Sequence, residues 1–193
     1  MAYAALDNST VLDYLRTVTA LKGILPPDAD LSAREVGDGN LNLVFIVKGP
    51  AGGIAVKQAL PYVRLVGESW PLPLTRAHYE HMALSEQTRL TGDLVPRVIH
   101  YDALQALIVM ELLEPHIIMR RGMIEAKVYP KFAGDMSTFM ARTLFFTSDL
   151  ALTADRKKAM IAAFAGNTAL CKITEDLIFT DPYRVAELNR WTS

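Results

Sequence analysis

The sequence predicts an α+β fold, an antiparallel sheet with packed helices followed by a helical segment. Three observations predict it. Leu43, Phe45 and Val47 alternate with Asn42, Val44, Ile46 and Lys48, the period of a strand. Gly49-Pro50-Ala51-Gly52-Gly53 is dense turn chemistry, and a second strand runs from Ile54 to Lys57. Further on, Met136, Phe139, Met140, Thr143 and Leu144 recur at helical spacing, an amphipathic helix whose stripe is expected to pack in a core.

At 193 residues the chain is long enough to bury a core in one or two domains, and 51% hydrophobic content excludes a disordered chain. Twenty basic residues nearly balance 21 acidic ones, for a formal net charge of −1, so nothing points to non-specific nucleic-acid binding. Cys171 is the one cysteine, which rules out an intramolecular disulfide and fits a reducing compartment. His78, His81, His100 and His116 make no convincing metal set. No basic region followed by a long apolar run opens the chain, and no stretch is apolar for long enough to span a membrane. A soluble cytoplasmic protein is the expectation.

Residues 1–9 look loose. Asn8, Ser9 and Thr10 are helix-start residues, and Val11, Leu12, Leu15, Val18 and Leu21 form an apolar stripe that ends at Gly23 and Pro26-Pro27. Leu31 to Val36 is the first expected strand. Tyr62 to Leu74 has no clean period, and Gly67, Pro71 and Pro73 argue for a loop. Trp70 in that loop either packs onto the domain or borders a ligand. A helix is expected from Thr75 or Arg76 to Leu90, with Ala77, Glu80, Ala83 and Leu84 on one face, stopped by Thr91-Gly92-Asp93. Val95 to His100 and Ala106 to Met110 read as two strands around a turn at Asp102. Asp155 to Phe164 carries Ala159, Met160, Ala163 and Phe164 on one side. Gly166-Asn167 breaks it before a further helix through Leu170, Ile173 and Leu177. Arg120-Arg121 reads as solvated surface.

The chemistry concentrates between Val36 and Lys57. Gly37 and Gly39 flank Asp38, and a backbone without Cβ can approach a ligand closely. Free N–H groups in such a turn point at anionic oxygens, and the Asn40 and Asn42 amides can add donors. On the return strand Ala55, Lys57 and Ala59 share one face. Lys57 therefore has small neighbours that leave room for a flat ring, and its ammonium would pair with phosphate. Glu80 falls on a mostly apolar helix stripe, where an unpaired carboxylate is costly. Lys57 is its natural partner, with Glu86 the alternative carboxylate and a merely surface-exposed Glu80 the other reading. A glycine turn followed by Ala-Val-Lys on the next strand resembles the nucleotide clamp of a protein-kinase-like small lobe.

Gly37-Asp38-Gly39-Asn40-Leu41-Asn42, Lys57-Gln58-Ala59 and Val66-Gly67-Glu68-Ser69-Trp70-Pro71-Leu72 together resemble the 5-methylthioribose kinase family, a branch of the aminoglycoside-phosphotransferase-like kinases. The similarity continues through Leu94-Val95-Pro96-Arg97-Val98, Val109-Met110-Glu111, Thr143-Leu144-Phe145 and Phe179-Thr180-Asp181-Pro182. The resemblance implies a kinase-like lobe over residues 1–112 and the start of a helical lobe over 113–193. It implies that Gly37, Asp38, Gly39, Asn40, Asn42, Lys57 and Glu80 serve ATP, with backbone groups at Glu111, Leu112 and Leu113 at the adenine edge and Trp70 near the sugar site. It also implies Mg²⁺, a homodimer, and phosphorylation of the anomeric hydroxyl of 5-methylthioribose in methionine salvage.

The superfamily draws its base and metal ligands from a His-Gly-Asp-like loop and a later acidic segment. Gly37-Asp38, Gly92-Asp93 and Gly134-Asp135 are not preceded by histidine, and His100-Tyr101-Asp102 lies before the hinge. The chain thus reads as the N-terminal half of such a kinase, without catalytic base or Mg²⁺ ligands, inactive alone, with apolar helix faces left uncovered. Two other readings are a non-catalytic module binding nucleotide or a partner, and half of a related kinase acting on another hydroxylated substrate. The Gly-Glu-Ser-Trp-Pro-Leu stretch favours the first reading over the last.

Overall fold

The computed structural model describes residues 2–26, 28–37, 39–64, 67–186 and 189. Five antiparallel strands form one sheet in the order β1-β2-β3-β7-β6, from β1 (Ser32–Glu35), β2 (Asn42–Gly49), β3 (Gly52–Ala59), β6 (Val98–Asp102) and β7 (Leu107–Glu111). Six helices join it: α1 (Thr10–Thr17), α2 (Arg76–Thr91), α3 (Met119–Ile124), α4 (Phe132–Phe146), α5 (Ala154–Phe164) and α6 (Thr168–Thr174). The α+β expectation holds, with an antiparallel sheet like that of a kinase small lobe. Among the described residues no helix is long and apolar enough to cross a membrane.

A two-residue turn, Pro50-Ala51, pairs Gly49 with Gly52 and fixes the register of the central hairpin. Phe45, Val56 and Val109 then stand side by side on one face, as do Leu43, Gln58 and Leu107. That face is buried against Val11, Leu15, Val18, Leu21 and Leu25. Each such side chain contributes roughly 1.5–3 kcal/mol on leaving water. The N-terminal stripe therefore packs as expected, but not as one helix. Val18 is extended (φ −85°, ψ 104°), and Thr19–Leu21 continues as a single 3₁₀ turn. Thr17 marks the break, its hydroxyl donating to the Tyr14 carbonyl at 2.7 Å. Tyr14 in turn donates to Asp102 Oδ2 at 3.0 Å, fastening α1 to β6.

Residues 2–7 are not loose. The wholly buried Gln58 accepts from Leu6 N–H at 2.9 Å, and its amide nitrogen donates to the Ala4 and Gln105 carbonyls at 2.9 and 3.1 Å. Gln105 accepts from Ala4 N–H and donates to the Ala2 carbonyl, and the Tyr3 hydroxyl donates to the Ala59 carbonyl. Asp7 caps α1: its Oδ1 accepts from the Ser9 and Thr10 N–H groups, both at 2.8 Å.

The expected loop at Tyr62–Leu74 is instead a small hairpin, β4 (Tyr62–Val63) with β5 (Gly67–Pro71). Its period is invisible because the register shifts at Tyr62/Val63 and Gly67 sits at φ +78°, a conformation only glycine adopts freely. Buried Leu72 anchors its end.

Helix α2 carries α4, with Arg142 donating to the Leu90 carbonyl at 3.2 Å. The expected core stripe of α4 lacks cover among the described residues: Met136, Met140 and Leu144 are 40%, 51% and 65% exposed. No residue of α4, α5 or α6 is fully buried. Ala159 and Ala163 of α5 are exposed too, while Met160 and Phe164 are half-buried. Arg121 is held by Glu125 at 2.7 Å.

Replacing Gln58 by Leu should cost about 2–3 kcal/mol in urea unfolding, because two carbonyls and an N–H lose their buried partner. It should also expose residues 2–7 to proteolysis. His81 of α2 stacks on Tyr101 with ring centroids 4.4 Å apart. Burial, then the neighbouring charge of His78, lowers its pKa. A histidine whose folded pKa is depressed contributes stability above its unfolded pKa and loses it as pH falls through the folded value. Urea midpoints should therefore drop from pH 7 to pH 5, with a shallower slope in His81→Phe.

Candidate nucleotide-binding site

The second face of the sheet stays open. Register puts Val44, Lys57 and Ile108 in one row and Ile46, Ala55 and Met110 in the next. Apart from the buried Ile108, these side chains are half-buried, forming an apolar floor with one ammonium at its edge. Lys57 Nζ donates to Glu80 Oε1 of α2 at 2.6 Å, with 28% and 34% of the two side chains exposed. Glu80 thus finds the partner its apolar position demanded. Glu86 is instead held by Arg89 at 2.5 Å. A pair this exposed adds little to stability, so its effect is to aim the ammonium.

The glycine turn rises from the end of β1 and returns into β2. Its base is closed by Val36 N–H to the Val44 carbonyl at 2.7 Å. The Asn40 carbonyl accepts from Arg64 N–H at 2.7 Å, and Arg64 pairs with Glu35 at 2.6 Å, bracing both arms against β4. Gly37 faces open space, whereas a Cβ on Gly39 would lie 2.7 Å from the Asn42 carbonyl oxygen. Gly39 is thus required by the tight return of the chain. Asp38 lies outside the described residues. Asn42 opens β2, paired with Ala59, and its Oδ1 accepts from Arg76 Nη2 at 3.4 Å.

Glu111 ends β7, roughly 10 Å along the strand from the residue opposite Lys57 at 3.4 Å per residue. Its N–H donates to the Arg97 carbonyl at 2.9 Å, so at Glu111 a ligand would be read by the carbonyl and not by the N–H. Leu112 packs over Gly53, where a Cβ would come within 2.7 Å of its methyl, and Lys48 pairs with Glu114 at 2.7 Å. These contacts fix the segment that carries Leu113. Trp70 is half-buried in β5, whose partner strand is β4 and not the main sheet.

The structure therefore joins Lys57 to Glu80 on this face, and Glu111, Leu112 and Leu113 continue from the end of β7, beyond Met110 of the floor. It adds residues the sequence reading passed over: Ile46 and Met110 in the floor, and Arg76 beside the turn. The count across Pro50-Ala51 already places Ile46 opposite Ala55, and Arg76 lies four residues before Glu80 on one helix stripe. A separate cavity of about 500 Å³, lined by Ile117, Val128, Tyr129, Phe132 and Met136, lies in the helical segment. Among the described residues, no three His, Cys, Asp or Glu side chains converge as a metal site.

No protein-family model matches the chain. Against individual proteins it is 50% identical over 195 residues to methylthioribose kinase of Escherichia coli O45:K1, covering 99% of this chain and 46% of that protein. It is 45% identical to methylthioribose kinase 2 of Oryza sativa subsp. japonica (99% and 45% coverage) and 46% identical to methylthioribose kinase of Geobacillus sp. (88% and 42%). At this identity the chain is similar over nearly its whole length to methylthioribose kinases, and it spans about half the length of the curated relatives it matches.

Proposed function

We propose that this chain is the ATP-binding half of a kinase that phosphorylates the anomeric hydroxyl of methylthioribose in methionine salvage. The observation that carries the reading is the Lys57–Glu80 pair, 2.6 Å long, with Lys57 opposite Val44, two residues from where the glycine turn enters β2 at Asn42. Lys57 would neutralise phosphate charge while Glu80 holds its ammonium in place. N–H groups of the turn from Gly37 to Asn42, with Asp38 between its glycines, would cover the phosphates. Ile46, Ala55 and Met110 would offer an apolar floor to a purine, with the Glu111 carbonyl and the backbone at Leu112 and Leu113 at its edge. Trp70 would border the sugar. ATP supplies the transferred phosphoryl group when bound.

The described residues do not make a Mg²⁺ site. The attacking hydroxyl needs a base, and the 193 residues hold no His-Gly-Asp sequence. In this reading the base and the metal-binding carboxylates belong to the half of the relatives that this chain does not span. The uncovered faces of α3 to α5 fit such a division, since a completing half would bury them.

Calorimetry should detect ATP binding to the folded 193-residue protein, weakened at least about tenfold in Lys57→Ala, the loss of roughly one charge-assisted contact. Equal affinity in the variant, or a folded wild-type protein that binds no ATP, would refute the reading. With ATP, Mg²⁺ and methylthioribose the chain alone should give no phosphorylated product in a coupled assay. Turnover would contradict the assignment of the base and metal ligands elsewhere.

A further inference from the structure

Arg76, the first residue of α2, is 4% exposed. Its guanidinium donates from Nη2 to the Leu41 carbonyl and, at 3.4 Å, to Asn42 Oδ1, and from Nη1 to the Pro73 carbonyl at 3.1 Å. Among the described residues Nε has no hydrogen-bond partner, and no carboxylate forms an ion pair with the group. Burial lowers its pKa, opposed by Tyr3 and by the nearby charge of Glu80. A buried cation with one idle N–H and no paired carboxylate is a costly way to fill space. What the fork does is geometric. It holds the arm descending from the glycine turn against the β5–α2 junction, one helical turn from Glu80. The other backbone tie on Leu41, from Leu60 N–H, is 3.4 Å long.

We propose that Arg76 is a positioning residue that sets the height of the glycine turn above Lys57, and thereby the affinity of the site for the polyphosphate of a nucleotide. The second clause rests on the nucleotide reading above. Because one guanidinium grips Leu41, Asn42 and the start of α2, the turn and the Glu80-held ammonium keep a fixed spacing. Lysine in its place keeps the charge but loses the planar fork that serves acceptors from two segments at once.

The test is Arg76→Lys in the full 193-residue chain, read by amide hydrogen exchange and by calorimetry. The expected result is exchange about tenfold faster for the amides of residues 39–44, with Val56 and Val109 in the sheet unchanged. ATP affinity should fall about tenfold while adenosine, which has no phosphate under the turn, binds as before. Unchanged exchange at 39–44, uniform acceleration across the sheet, or equal losses for ATP and adenosine would each overturn the proposal. A wild-type protein that binds neither ligand would overturn the nucleotide reading and the affinity clause. The exchange data would then still decide whether Arg76 positions the turn.

Discussion

The register of the β2–β3 hairpin is the constraint on which the rest depends. Strand side chains alternate between faces, so a slip of β3 by one residue would turn Lys57 into the core and Val56 out to water. The two-residue turn between Gly49 and Gly52 prevents that slip, and the burial of Phe45, Val47, Ile54 and Val56 against α1 reinforces it. The same register that closes one face leaves the other open with Ala55 and Lys57 on it. Core and candidate site are thus two consequences of one pairing.

Helix α2 converts that open face into a cleft. Its N-terminal turn carries Arg76 against the glycine arm, its second turn carries Glu80 to Lys57, and Ala77 packs closely with Ala59 and Ala106. Small residues at that contact let the helix lie near the sheet, which brings a glutamate within 2.6 Å of a strand lysine. A larger residue at Ala77 or Ala59 would separate the two, even though neither alanine touches the charged groups by chemistry of its own.

Much of this was legible in the sequence, and the failures have physical causes. The hairpin, Lys57 and the need for a partner at Glu80 followed from strict alternation and from the cost of a lone carboxylate on an apolar stripe. Residues 2–7 looked loose because their anchors, Gln58 and Gln105, lie 50 to 100 positions away, and no local pattern announces such contacts. Gln58 itself was visible as the polar residue among Ile54 and Val56, a demand for hydrogen-bond partners of the same kind that Glu80 made. The β4–β5 hairpin was hidden by Gly67, Pro71 and a register shift. Arg76 read as a helix start because its burial depends on the glycine arm folding over it.

Burial is distributed unevenly, and α2 lies at the division. The sheet and α1 enclose a closed core, whereas α4, α5 and α6 bury no residue fully. Yet α4 and α5 grip α2: Arg142 holds the Leu90 carbonyl, and the Tyr79 ring packs on Phe164 and fills the space beside Gly166. Glu80 adjoins Tyr79 on the same helix, so its carboxylate does not move independently of the helical segment. Packed elements shift as rigid bodies, and a displacement of α2 by about 1 Å is large against a hydrogen bond about 3 Å long. Whatever covers the exposed Met136, Met140 and Leu144 would therefore bear, through α2, on how Lys57 is aimed. In this architecture the geometry of the sheet site and the packing of the helices are a single mechanical problem.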